Sequence, residues 1–114
     1  MTDETFFDAR IALDSDVLTV EAEGEVDMST APRLLEIIDA VSDAARLVII
    51  DLTQVSFLDS SGLNALVKAQ RRLGARGIAL RIVSPSGHVV HRVFQIAHLE
   101  EELTIFETAG EARA

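Results

Sequence analysis

Four adjacent aliphatic residues, Leu47-Val48-Ile49-Ile50, form the longest uninterrupted apolar run of the chain. A strand with one wet face alternates apolar and polar side chains, so a run with no polar member belongs to a strand covered on both faces. This run is expected in the middle of a sheet, with layers above and below it. That requirement constrains the rest of the chain, which must supply both flanking strands and covering helices.

The remaining pattern supplies them. Phe7, Ala9, Ile11 and Leu13 alternate with Asp8, Arg10 and Ala12; after Asp14-Ser15-Asp16, Leu18, Val20 and Ala22 alternate with Thr19, Glu21 and Glu23. Two alternating runs joined by a short polar turn predict a half-exposed β-hairpin. A first helix is signalled by Ser29 or Thr30 as cap, Pro32 in the first turn, and Leu34, Ile37, Ile38, Val41 and Ala45 at helical spacing. A second is expected from Ser60-Ser61 to Gly74–Gly77, with Leu63, Leu66, Val67 and Leu73 inward and Lys68, Arg71, Arg72 and Arg76 on a solvated face.

Ile78, Leu80 and Ile82 predict another strand, Val89, Val90, Val93, Phe94 and Ala97 a shorter helix, and Leu103 with Ile105 a last strand. The order β-β-α-β-α-β-α-β implies an α/β fold, one mixed sheet of four to five strands with helices packed on it. With 114 residues, 48% of them hydrophobic, a single domain over 1–114 is expected, its core at about 5–108 and a surface tail at 109–114 that is frayed or helical.

Composition removes several functions. Without cysteine there is neither a disulfide nor a thiolate metal site, and His88, His91 and His98 lack a plausible ligand set, so no metal is expected. A net charge of -9 repels nucleic acid and anionic lipid, which argues against direct DNA binding. No run of about 18 apolar residues and no basic-then-apolar N-terminus is present, so no membrane insertion and a cytoplasmic location are expected.

The second helix start, Phe57-Leu58-Asp59-Ser60-Ser61-Gly62-Leu63, carries the most information. A serine cap satisfies an orphan backbone N–H and contributes roughly 1 kcal/mol. One hydroxyl suffices for that, yet two are present. They are followed by Gly62, which costs about 1 kcal/mol relative to alanine inside a helix and so implies a close approach to the backbone. Helix starts favour negative charge, so a phosphate on one of these serines is electrostatically tolerated and would change a binding surface beside Asp59 by about -1.5 to -2 charges.

These residues, with Val48-Ile49-Ile50-Asp51-Leu52 before them and Gly24-Glu25-Val26-Asp27 after the second strand, resemble the STAS domains of bacterial anti-sigma factor antagonists, over roughly Phe7 to Thr108. The resemblance implies a phosphoprotein switch in stress-response or sporulation signalling that regulates transcription and is not an enzyme. Ser61, the second serine, matches the phosphorylation site, and Ser60 is then the expected cap. Asp27 and Asp59 match residues that border the phosphosite or touch the partner; Gly62 and Asn64 complete that surface. The implied partners are an anti-sigma factor serine kinase, which would itself hold Mg-ATP, and a PP2C-type phosphatase. No cofactor of the chain's own is implied.

Two positions depart from the pattern: His98 stands where a glycine often follows the third helix, and Asn64 replaces a frequent glycine. Asp27 also has a structural alternative as a turn or cap residue. A serine-hydrolase reading has little support, since no nucleophile-elbow glycine precedes the serines. A non-switching STAS subunit of a lipid-transport or stressosome-like complex is the alternative function.

Overall fold

The computed structural model describes residues 5–98 and 102–114, apart from the side chains of residues 41 and 42. Five strands form one sheet in the order β1-β2-β3-β4-β5, namely β1 (Phe7–Asp14), β2 (Val17–Val26), β3 (Leu47–Leu58), β4 (Ala79–Val83) and β5 (Ile105–Phe106). β1 and β2 are an antiparallel hairpin, and every later pairing is parallel. The sheet is therefore mixed, and Leu47-Val48-Ile49-Ile50 lies in its central strand.

Helices α1 (Ala31–Val41), α2 (Ser60–Ala75) and α3 (Val89–Ile96) make the parallel crossovers. Their buried residues, Leu34 and Ile38 from α1, Leu66 and Leu73 from α2, and Val90 and Phe94 from α3, share one core with Val48, Ile50 and Ile82 of the sheet. The alternate residues Leu47 and Ile49 point the other way and pack with Val83 and Ala112. Ala112 belongs to α4 (Ala109–Arg113), whose start is closed by a capping box between Thr108 and Glu111. Both faces of β3 are thus covered, as its uninterrupted aliphatic run requires.

Four side chains differ from the periodicity, among them Ala97, which is exposed as the C-cap of α3. Ile11 and Leu13 are 46% and 52% exposed, because β1 is an edge strand and only its first residues, Phe7 and Ala9, join the core. Val89, placed in the inward stripe by spacing, is 58% exposed. It is the first residue of α3, and the inward face of that helix is set by Val90 and Phe94. The side chain of Val41 lies outside the described ones. His98 has a φ of 57°, so the residue after α3 does take the left-handed turn usually given to glycine.

The α2 arginines are not merely solvated. Arg72 pairs with Asp39 at 2.6 Å, Arg76 pairs with Asp43, and Arg71 lies 3.8 Å from Glu102. All are exposed pairs, each contributing about 0–1 kcal/mol, so burial dominates stability. Phe94 is fully buried beneath α3. Replacing it with alanine is expected to cost about 3–5 kcal/mol in urea unfolding, against less than about 0.5 kcal/mol for an exposed substitution such as Arg92→Ala.

Candidate functional site: the start of helix α2

β2 and β3 deliver the site together. Two irregularities in their pairing, between Glu21 and Glu23 and between Gly24 and Glu25, let β3 advance relative to β2 until Val26 lies opposite Leu58. Gly24 makes this possible: its φ is 99°, and a Cβ there would stand 2.2 Å from the carbonyl oxygen of Phe6. Beyond the paired ends, the Asp59 N–H donates to the Val26 carbonyl at 3.2 Å. Asp27 and Asp59 therefore leave adjacent strand ends side by side.

Each aspartate organises its own loop. The Asp59 Oδ1 accepts from the N–H groups of Ser61 and Gly62, at 2.9 and 3.2 Å. Asp59, rather than Ser60, is thus the cap of α2, because one carboxylate oxygen satisfies two of the orphan donors that a hydroxyl would share less well. Ser60 is exposed and Ser61 half-buried. The N–H groups of Ser61 and Gly62 thus already have a negative partner in the Asp59 carboxylate.

Asp27 does the equivalent work before α1. Its Oδ1 accepts from the Ser29 N–H at 2.8 Å, the Ser29 hydroxyl at 2.7 Å and the Thr30 N–H at 3.2 Å. The Thr30 hydroxyl turns back to donate to the Glu25 carbonyl at 2.7 Å, so neither Ser29 nor Thr30 caps α1 with its side chain. The hydrogen bond from the Ser29 hydroxyl, followed by those from the Ser29 and Thr30 backbone, holds the Asp27 carboxyl below its ordinary range. The turn role is real, and it also fixes the position of the next residue, Met28.

Gly62 has a structural reason too. A Cβ on it would lie 2.8 Å from Leu58 Cδ1 and 3.0 Å from Val26 Cγ1. The close approach signalled by this glycine comes from the chain's own strand ends, and Gly62 is buried between them. Asn64, one turn on from Ser61, is exposed.

Between α1 and α2 runs an open groove of about 300 Å³. Met28, Ala31, Pro32 and Leu35 form one wall; Ser61, Asn64, Ala65 and Lys68 form the other. Met28 is 79% exposed, the most exposed of the large apolar residues described. Spacing arguments did not single out Met28 or the α1 wall, and they placed Lys68 on the solvated face. The one available signal was an apolar residue inside the polar turn Asp27-Met28-Ser29-Thr30. His88 and His91 are occupied at the start of α3, where His88 Nδ1 accepts from the Val90 N–H at 3.3 Å and the His91 ring meets the Ser84 carbonyl at 3.0 Å.

A single sheet with an antiparallel edge hairpin, parallel crossovers, and a capped serine at the start of the helix leaving its central strand defines a class. The STAS domain profile matches residues 9–112, and the chain belongs to the STAS family. Within it, the chain falls among the anti-sigma factor antagonists. It is 33% identical over 99 residues to the anti-sigma-B factor antagonist of Listeria monocytogenes, covering 86% of each chain. It is 31% identical over 97 residues to an anti-sigma-F factor antagonist of Mycobacterium tuberculosis, covering 84% of this chain and 78% of that one. The crystal structure of an anti-sigma factor antagonist from Mycobacterium paratuberculosis superposes with a TM-score of 0.86 at 27% identity, over 99% of this chain and 96% of the other. Among the described residues, no helix is long and apolar enough to cross a membrane.

Two measurements check the site. Asp59→Ala is expected to lose about 0.5–2 kcal/mol of stability, and Gly62→Ala to destabilise despite alanine's better helix propensity, because buried Leu58 must move. Asp27 gives a pH signature. Its carboxyl is lowered in the folded chain, so its contribution is present above the ordinary carboxylate value of about 4 and is lost as pH falls through the lowered one. The destabilisation caused by Asp27→Asn, measured by urea unfolding, is expected to be larger at pH 7 than in acid below the ordinary carboxylate value of about 4.

Proposed function

We propose that this chain is a phosphorylation-controlled protein-binding switch, with Ser61 as the site of phosphate and the α1–α2 groove as the surface that a partner occupies. The observation that carries this reading is that Ser61 stands in the wall of a groove whose opposite wall is apolar and opens at the exposed Met28. The unphosphorylated chain binds an anti-sigma factor that is also a serine kinase, and so releases a sigma factor for transcription. The kinase supplies Mg-ATP and the catalytic groups, and a PP2C-type phosphatase removes the phosphate. The chain itself acts as a cytoplasmic binding protein and not as an enzyme. Both relatives described above are antagonists of anti-sigma factors by name, which supports the partner class.

The physics of the switch follows from what already occupies the helix end. Phosphate on Ser61 adds about -1.5 to -2 charges, next to a carboxylate that holds the nearest backbone donors. Closing a partner over the groove would strip water from that charge against Met28, Ala31, Pro32 and Leu35, which offer no hydrogen bond from their side chains. Among the described residues that line the groove, Lys68 is the one cation. Asp27 and Asp59 hold the two loops in register, Ser60 and Asn64 flank the hydroxyl on the exposed side, and Gly62 permits the helix to sit where it does.

Ser61→Asp is expected to weaken binding of the anti-sigma partner at least tenfold, about 1.4 kcal/mol, while Ser61→Ala stays within about threefold of the parent in calorimetry. Equal affinities for the two variants would remove the charge mechanism. Phosphosite mapping on protein taken from its host, with co-purifying proteins identified, checks the rest. Phosphate on Ser61 beside an anti-sigma kinase supports the switch; absence of phosphate beside a transporter or scaffold replaces it with a non-switching role.

A further inference from the structure

β1 is an edge strand of eight residues, and among the described residues no strand pairs with its outer edge. The Glu25 N–H donates to the Phe6 carbonyl at 2.8 Å, and the hairpin register continues from Phe7 opposite Gly24 to Asp14 opposite Val17. In an antiparallel ladder the residues bonded to the partner strand alternate with residues whose backbone groups face away. Phe6, Asp8, Arg10, Ala12 and Asp14 are therefore bonded to β2, and Phe7, Ala9, Ile11 and Leu13 turn their N–H and carbonyl groups outward. Arg33 Nη1 reaches the Phe7 carbonyl at 3.4 Å and the Ala9 N–H donates to its neighbour Asp8 Oδ1 at 2.9 Å, so the outward groups left without a partner among the described residues are those of Ile11 and Leu13. Farther along, the strand also exposes Ile11 and Leu13. An edge with free backbone groups and exposed aliphatic side chains is a template for another strand.

We propose that this edge pairs with the same edge of a second copy, antiparallel, about a two-fold axis at Ala12. In this register Ile11 of one copy lies opposite Leu13 of the other, and Leu13 opposite Ile11, so the outward backbone groups of both residues are bonded and four exposed aliphatic side chains meet on one face. On the other face Arg10 lies opposite the second copy's Asp14, and Asp14 opposite the second copy's Arg10. The complementarity is specific to this offset. Moving the axis to Ile11 would set Asp8 against Asp14, and moving it to Arg10 would set Arg10 against itself. Arg10 forms no ion pair with any described residue, and the exposed Asp14 is held on one oxygen by Arg113 at 2.7 Å, leaving the other for a second partner. The α1–α2 groove takes no residue from β1, so a dimer of this kind presents two open grooves.

The chain has no cysteine, which makes the test direct. In the proposed register the two Ala12 residues form a non-hydrogen-bonded pair with Cα atoms about 4.5 Å apart, within the disulfide range of roughly 4.4–6.8 Å. The two Asp8 residues, eight positions out of register, stand more than about 25 Å apart. In a glutathione buffer the full chain carrying Ala12→Cys is expected to form a disulfide dimer at least tenfold faster than the chain carrying Asp8→Cys. Adding Arg10→Asp, an exposed change outside the core, should slow the Ala12→Cys reaction by setting two acids against each other, and Asp14→Arg added to that should restore it. Equal rates for the two cysteine variants, no slowing by Arg10→Asp, or no restoration by the charge swap would each overturn the proposal.

Discussion

The seating of the first turn of α2 on the ends of β2 and β3 is the contact on which the rest of this structure depends. Gly62 has no side chain because Leu58 and Val26 occupy the space that one would need. That contact sets where α2 starts, and with it the position of Ser61 in the groove wall. It also requires Val26 and Leu58 to be level, which the β2–β3 irregularities around Gly24 bring about. A glycine in the strand and a glycine in the helix, 38 positions apart in sequence, thus serve one geometry.

Electrostatics at the site follow from that packing. The α2 start would carry unpaired donors and a favourable field for anions, but Asp59 fills the position with its own carboxylate. Asp27 does likewise for the turn before α1, and both acids remain at least partly accessible. The surface is therefore already negative around Ser61 before any modification. At the other end of α2 the arrangement is reversed: Arg72 and Arg76 meet Asp39 and Asp43, linking the helix to α1 and the turn after it. These exposed pairs contribute little energy, yet they take up the cations that would otherwise form a basic patch.

Much of the fold was legible in the residues. The aliphatic run at 47–50, the alternating runs on either side of Asp14-Ser15-Asp16, and the helical spacing of Leu63, Leu66 and Leu73 identify strands and helices because backbone periodicity is a local property. Misplacements occurred where a neighbour decides burial. Ile11 and Leu13 carry the inward pattern, but neither joins a buried cluster; Val89 fits the stripe, but it sits at the rim of α3. Serine and aspartate both cap helices, and only geometry shows that the Asp59 carboxylate, not the adjacent serine hydroxyl, meets the N–H groups of α2.

For the candidate site, the chemical inventory is readable along the chain: a pair of hydroxyls, flanking acids, and a glycine at the start of a helix after a buried strand. The tertiary structure alone decided that Asp27 and Asp59 stand together, that Gly62 faces the chain's own core, and that Met28 and Lys68 share a groove with Ser61. The physical reason is that side-chain identity and period are written along the chain. The juxtaposition of residues some 30 positions apart depends on the register of two parallel strands, which is set by long-range backbone pairing and core packing that no local window contains.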